Sequence, residues 1–145
     1  LRLPLECKLV QTAKQTDVLV FTRPDCDIGQ RQALEAKGVR VIICEHLKGG
    51  RPNPQFVADF CWKIGLCSIL LEAGPTLNKA HFDAGLVDKI VELIAPIKLQ
   101  RGYAGYSPSQ ISQPSMAFTA GADYKKSREQ TLLEDRLIIW HRKKK

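Results

Sequence analysis

The sequence predicts an α/β domain with a mainly parallel sheet flanked by helices. Three observations carry this. Short runs of strand-forming residues recur at 17–22, 39–44 and 67–71. Each is followed by a stretch of helix formers that closes on a glycine, at Gly38, Gly65 and Gly85. Strands alternating with helices in this way pack as a parallel layer covered by helices.

Taken in order, Asp17-Val18-Leu19-Val20-Phe21-Thr22 is an apolar strand that stops at the turn Arg23-Pro24-Asp25. Residues 28–37 are good helix formers, and Gly38 supplies the C-cap signal. Residues 39–44 form a second buried strand. A polar Gly/Pro stretch, 48–54, ends in Asn53-Pro54, an N-cap followed by proline at the first helical position. Phe56, Val57, Phe60, Cys61 and Ile64 then make the apolar stripe of an amphipathic helix. A third strand is expected at 67–71, a helix from Pro75 to Gly85, and a fourth strand within 87–95, before Pro96. Residues 98–115 read as a long loop containing Tyr103 and Tyr106. Residues 116–122 read as a weak strand, and Arg136-Leu137-Ile138-Ile139-Trp140 as the last one.

At 145 residues the chain is expected to be a single domain, 1–145. No apolar run is long enough for a bilayer, so no membrane span is expected. Leu1-Arg2-Leu3-Pro4 has neither a starting Met nor a long apolar stretch. It reads as an N-terminally truncated domain without a signal peptide. Five cysteines, an odd number with no C-x-x-C pair, argue against a disulfide framework and against zinc. Cys44 and Cys67 fall in strand-like runs that favour buried free thiols. The expected compartment is the reducing cytoplasm. His46, His81 and His141 are isolated, and no metal is expected. Of the net charge of +7, four positives lie in Arg142-Lys143-Lys144-Lys145. The stretch 142–145 reads as a solvated basic tail. No aromatic-rich basic stripe accompanies it, so nucleic acid is not the expected partner, and binding through the tail is the weakest alternative.

The chemistry-bearing segment is Ser68-Ile69-Leu70-Leu71-Glu72-Ala73-Gly74-Pro75-Thr76-Leu77-Asn78. An apolar run meets a Gly-Pro corner where a helix begins. Helix N-termini expose backbone N–H groups and a partial positive charge, which suit a phosphate. Gly74 lets a pyrophosphate approach the backbone, and Pro75 loses no hydrogen bond at that position. Thr76, Leu77 and Asn78 offer N–H groups, and Thr76 adds a hydroxyl. A purely structural strand-to-helix turn fits these residues equally. Glu72, beside the corner, suits hydrogen bonds from hydroxyl or amine groups of a polar substrate. The pattern is neither G-x-G-x-x-G nor a Walker loop.

The stretches Leu71-Glu72-Ala73-Gly74-Pro75-Thr76-Leu77-Asn78, Ala84-Gly85-Leu86-Val87-Asp88-Lys89-Ile90-Val91 and Ile94-Ala95-Pro96 resemble the reductase domain of the bacterial bifunctional riboflavin-biosynthesis deaminase/reductase. Leu3-Pro4-Leu5-Glu6-Cys7-Lys8-Leu9-Val10 is similar to a stretch further upstream in that family. The resemblance runs from Leu1 to about Pro96 and fades at Lys98-Leu99-Gln100-Arg101-Gly102.

It implies a dihydrofolate-reductase-like fold and NADPH-dependent reduction of 5-amino-6-(5-phosphoribosylamino)uracil to its ribitylamino product. It implies cofactor binding by Gly74, Pro75, Thr76, Leu77, Asn78, Lys79 and Ala80, substrate binding by Glu72, and a place for Thr22 near the adenosine end of the cofactor. It further implies a homodimer, with a deaminase domain on the parent chain. The deaminase signatures His-x-Glu and Pro-Cys-x-x-Cys do not occur here, so this chain is not expected to deaminate. No segment matches the part of the family that holds much of the substrate, so the chain alone is expected to be weakly active or inactive. A non-catalytic nucleotide-binding or oligomerisation module of the same fold is the alternative.

Overall fold

The computed structural model describes residues 1–45, 50–96 and 123–144. The chain divides into two units, Leu1–Ile69 and Leu70–Lys145.

The first unit contains α1 (Lys8–Gln11), β1 (Leu19–Thr22), α2 (Ile28–Ala36), β2 (Arg40–Ile43) and α3 (Pro54–Lys63). Strands β1 and β2 pair in parallel, from Leu19 opposite Arg40 to Thr22 opposite Ile43. The Arg40 N–H donates to the Val18 carbonyl and the Cys44 N–H to the Thr22 carbonyl, extending the ladder at both ends. Parallel neighbours require a crossover, and α2 supplies it. Val10, Ala13, Leu34, Val39 and Val41 form the core, with Leu1, Leu3, Leu5, Val18 and Val20 packed against it. The Asp27 side chain caps α2 by accepting from the Gln30 N–H. Beyond α2, Gly38 takes φ +96°, and a Cβ there would meet Lys14 at 3.0 Å. The glycine is therefore required by both conformation and space. Asn53 caps α3 by accepting from the Gln55 N–H. The Phe60 ring packs edge-on against Phe21 at 5.5 Å, seating α3 on β1.

The third parallel strand expected at 67–71 is not formed. Residues 66–74 have no regular structure, and Leu66, Ile69 and Leu70 are exposed, Leu70 by 81%. An apolar run becomes a strand only where a neighbour takes up its backbone groups, and no described strand pairs with this one. Cys67, expected to be buried, is exposed for the same reason, whereas Cys44 is buried.

The second unit contains α4 (Pro75–Asp83), β3 (Lys89–Ile94), β4 (Tyr124–Leu132) and β5 (Asp135–Arg142). The strands form a sheet in the order β3-β5-β4. Both pairings are antiparallel, with Lys89 opposite His141 on one side of β5 and Tyr124 opposite Arg142 on the other. The strands expected at 87–95 and 136–140 are thus present as β3 and β5. Their direction corrects the expected mainly parallel sheet, which holds only for β1 and β2. For β4 and β5 the cause is local: the two residues Leu133 and Glu134 join them, and so tight a connection can only reverse the chain. Leu133 adopts φ +57° in this turn. The β3–β5 pairing, in contrast, joins residues far apart in the sequence.

Strand β4 itself was not anticipated, because Lys125-Lys126-Ser127-Arg128-Glu129-Gln130-Thr131 shows no apolar alternation. It is an edge strand with a bulge between Lys126 and Arg128, where the Ser127 hydroxyl donates to the Ile139 carbonyl. One face of the sheet buries Tyr124 and Ile138, and Phe82 of α4 lies 5.8 Å from the Tyr124 ring.

The long loop at 98–115 and the weak strand at 116–122 lie outside the described residues, as does His46. Among the described residues, no helix is long and apolar enough to cross a membrane.

Candidate cofactor site

The corner before α4 is built by its two central residues. A residue preceding proline is driven out of the helical region, and Gly74 is extended at φ −68° and ψ 170°. Pro75 then starts the helix at its first position. Gly85 closes the motif at φ +67°, with the Leu86 N–H donating to the His81 carbonyl.

The N-terminus of α4 differs from those of α2 and α3, which carry side-chain caps. No side chain caps α4, and its first turn has no acidic residue. Of the three N–H groups expected to face an anion, two are committed. Those of Leu77 and Asn78 both donate to the Gly74 carbonyl, at 3.1 Å each. Among the described residues, the Thr76 N–H donates to no acceptor. The expected cradle is therefore narrower than the sequence suggests: one open N–H, the exposed Thr76 side chain and the positive end of the helix dipole.

A second feature adjoins it. The Asn78 Oδ1 atom is buried and has no hydrogen-bond partner among the described residues. A buried amide oxygen without a donor is costly unless a bound group supplies one. An open N–H suits a phosphate oxygen, and an unsatisfied acceptor suits a hydroxyl or amide donor.

The remaining expected site residues fall into distinct situations. Glu72 is exposed, two residues before Gly74, and makes no hydrogen bond or ion pair with the described residues. Lys79 is held by Asp83 one turn later, at 2.8 Å to both carboxylate oxygens. That i,i+4 spacing was visible in the sequence and directs the ammonium toward the C-terminal end of the helix. Leu77 is exposed and Ala80 half-buried. The structure thus brings residues 72–80 together on one corner of the second unit. Thr22 belongs to the first unit, at the end of β1 as expected, where it is buried at 6% exposure. Among the described residues, no three His, Cys, Asp or Glu side chains cluster in a way that would hold a metal.

Comparison with known proteins gives these residues a context. The family described as RibD C-terminal domain matches residues 1–118. The riboflavin biosynthesis protein RibD of Actinobacillus pleuropneumoniae is 33% identical over 108 residues, which cover 74% of this chain and 28% of that protein. Two solved forms of Acinetobacter baumannii RibD superpose with a TM-score of 0.66 at 22% identity, over 98% and 99% of this chain and 35% of theirs. The structural likeness shows the fold, that of a dihydrofolate-reductase-like domain. The chain spans about a third of the length of these relatives.

Proposed function

The chain belongs to the RibD C-terminal domain family, and on that premise we propose that it forms the cofactor side of a reductase in riboflavin biosynthesis. The proposed reaction is the NADPH-dependent reduction of 5-amino-6-(5-phosphoribosylamino)uracil to its ribitylamino product. The observation that carries this reading is the uncapped start of α4, where an open Thr76 N–H lies in the same turn as the unsatisfied Asn78 Oδ1.

NADPH, when bound, supplies the hydride. The chain's own residues bind and orient. Gly74 has no side chain to keep a pyrophosphate from the backbone, and Pro75 fixes the corner. Thr76, through its N–H and hydroxyl, would hold the phosphate oxygens, and Asn78 Oδ1 would accept from a hydroxyl or amide donor of the cofactor. Lys79, its side chain engaged by Asp83, contributes with Leu77 and Ala80 through the shape of the first turns. Thr22 is assigned to the adenosine end. Glu72 accepts hydrogen bonds from the substrate. The same reading takes the working unit as a cytoplasmic homodimer with a deaminase domain on the parent chain.

A second reading, the alternative the sequence leaves open, is a nucleotide-binding module of the same fold that does not turn over by itself. Both readings are tested by following NADPH oxidation with the phosphoribosylamino substrate, in this chain and in a RibD-length polypeptide containing it. The proposal predicts turnover in the longer protein that Gly74→Val abolishes. Turnover unaffected by Gly74→Val contradicts it. Cofactor binding without turnover, even in the longer protein, selects the binding module.

A further inference from the structure

The end of the β3-β5-β4 sheet holds a second concentration of charge that the corner at α4 does not use. Strand β5 finishes clamped between its neighbours: the Arg142 N–H donates to the Asp88 carbonyl and the Lys143 N–H to the Asp123 carbonyl. The Arg142 guanidinium donates to the Gly85 carbonyl and lies so close that a Cβ on Gly85 would meet it at 2.9 Å. What the sequence presents as the start of a loose basic tail is therefore fixed at the rim of a cavity of about 960 Å³. Lys89, Arg142, Lys143 and Lys144 line this cavity against two carboxylates, Asp88 and Asp123, a surplus of two positive charges.

We infer that this cavity binds a small phosphate-bearing ligand. Its volume lies within the range of small-molecule sites, about 300–1,000 Å³. Positive charge gathered in a concave site concentrates anions, and ammonium and guanidinium groups make charge-assisted hydrogen bonds to phosphate. A nucleic-acid strand is a poorer match. Among the described residues no Phe, Tyr or Trp lines the cavity to stack bases, and Asp88 and Asp123 interrupt the track that a continuous phosphate backbone would follow. No residue from 72 to 80 lines it, so this site stands apart from the proposed cofactor corner and does not depend on the reductase reading.

The test is calorimetric titration of the 145-residue chain with inorganic tripolyphosphate. Saturable binding is expected. It should weaken at least about tenfold in Lys89→Glu/Lys144→Glu, the loss of roughly one charge-assisted contact. Lys63→Gln, at an exposed position that neither this cavity nor the α4 corner uses, should leave it unchanged. Thermal melting checks that the double variant is folded, and Lys144→Gln, at an exposed position, gives a milder second variant. Equal affinity in the wild type and the folded variants overturns the inference, as does absence of saturable binding. Tighter binding of single-stranded RNA than of tripolyphosphate, lost in the same variants, overturns the small-ligand assignment.

Discussion

The Tyr124 hydroxyl donates a 2.6 Å hydrogen bond to the Val87 carbonyl, tying the first residue of β4 to the loop that leads into β3. Burial pushes the ionisation of this phenol above its ordinary value of 10.0, opposed by the positive Arg142 and assisted by Asp88 and Asp123. A raised folded-state pKa stabilises the protein fully below the unfolded value, and that contribution is lost as pH rises through the folded value. Stability of the second unit should therefore fall above about pH 10. Tyr124→Phe should remove that alkaline component and cost about 1 kcal/mol at neutral pH through the lost hydrogen bond. Urea unfolding across an alkaline pH series, with ultraviolet titration of tyrosine, checks both.

Two leucines should respond in opposite ways. Leu34 is completely buried, while Leu70 is 81% exposed. Leu34→Ala should cost about 2–5 kcal/mol through lost burial and the cavity left behind. Leu70→Ala should stay within about 0.5 kcal/mol, as surface changes do. Chemical denaturation of the two variants distinguishes them, and a large loss from Leu70→Ala would show that the 66–74 segment is packed after all.

The cysteines offer a chemical probe of the same contrast. Cys44 is buried, and burial raises its thiol pKa, only partly offset by a hydrogen bond from the Asn53 backbone. The thiolate is the reactive form. Cys67 is exposed. Iodoacetamide followed by peptide mass spectrometry should modify Cys67 in the native protein and Cys44 only after unfolding.

How far the sequence could be read depended on how local each feature's cause was. Helices α2, α3 and α4 were legible because their boundaries are set by neighbouring residues: Asp27 and Asn53 as caps, Pro54 and Pro75 at first positions, Gly38, Gly65 and Gly85 at positive φ beyond their ends. Strand direction was not legible, because β3 takes its orientation from β5, whose paired residues lie far along the chain. Strand β4 was hidden because its polar residues are held by backbone pairing to β5 and not by an apolar face. The run at 67–71 misled because apolar composition states a preference for burial without naming a partner. At the cofactor corner, the Gly-Pro signal located the helix start correctly. What it could not reveal was that the Gly74 carbonyl takes up two of the three N–H groups, or that Asn78 Oδ1 is buried without a donor.

Glu72 gives a prediction about substrate alone. It is exposed and makes no ion pair among the described residues, so Glu72→Gln should leave folding and NADPH affinity intact. In the RibD-length protein, loss of one charge-assisted hydrogen bond should raise KM for the phosphoribosylamino substrate about tenfold. A matching loss of NADPH affinity would place Glu72 on the cofactor instead.

Gly74 offers the clearest separation of binding from folding. Its backbone is in the ordinary extended region at φ −68°, which any L-residue adopts without backbone strain, and a side chain there would stand between a ligand and the corner. The decisive measurement is NADPH fluorescence titrated with the wild-type chain and with Gly74→Val, with circular dichroism to confirm that both are folded. Saturable binding by the wild type and at least about tenfold weaker binding by Gly74→Val is the predicted result. Equal binding by the two folded proteins would contradict the assignment of α4's N-terminus as the cofactor site.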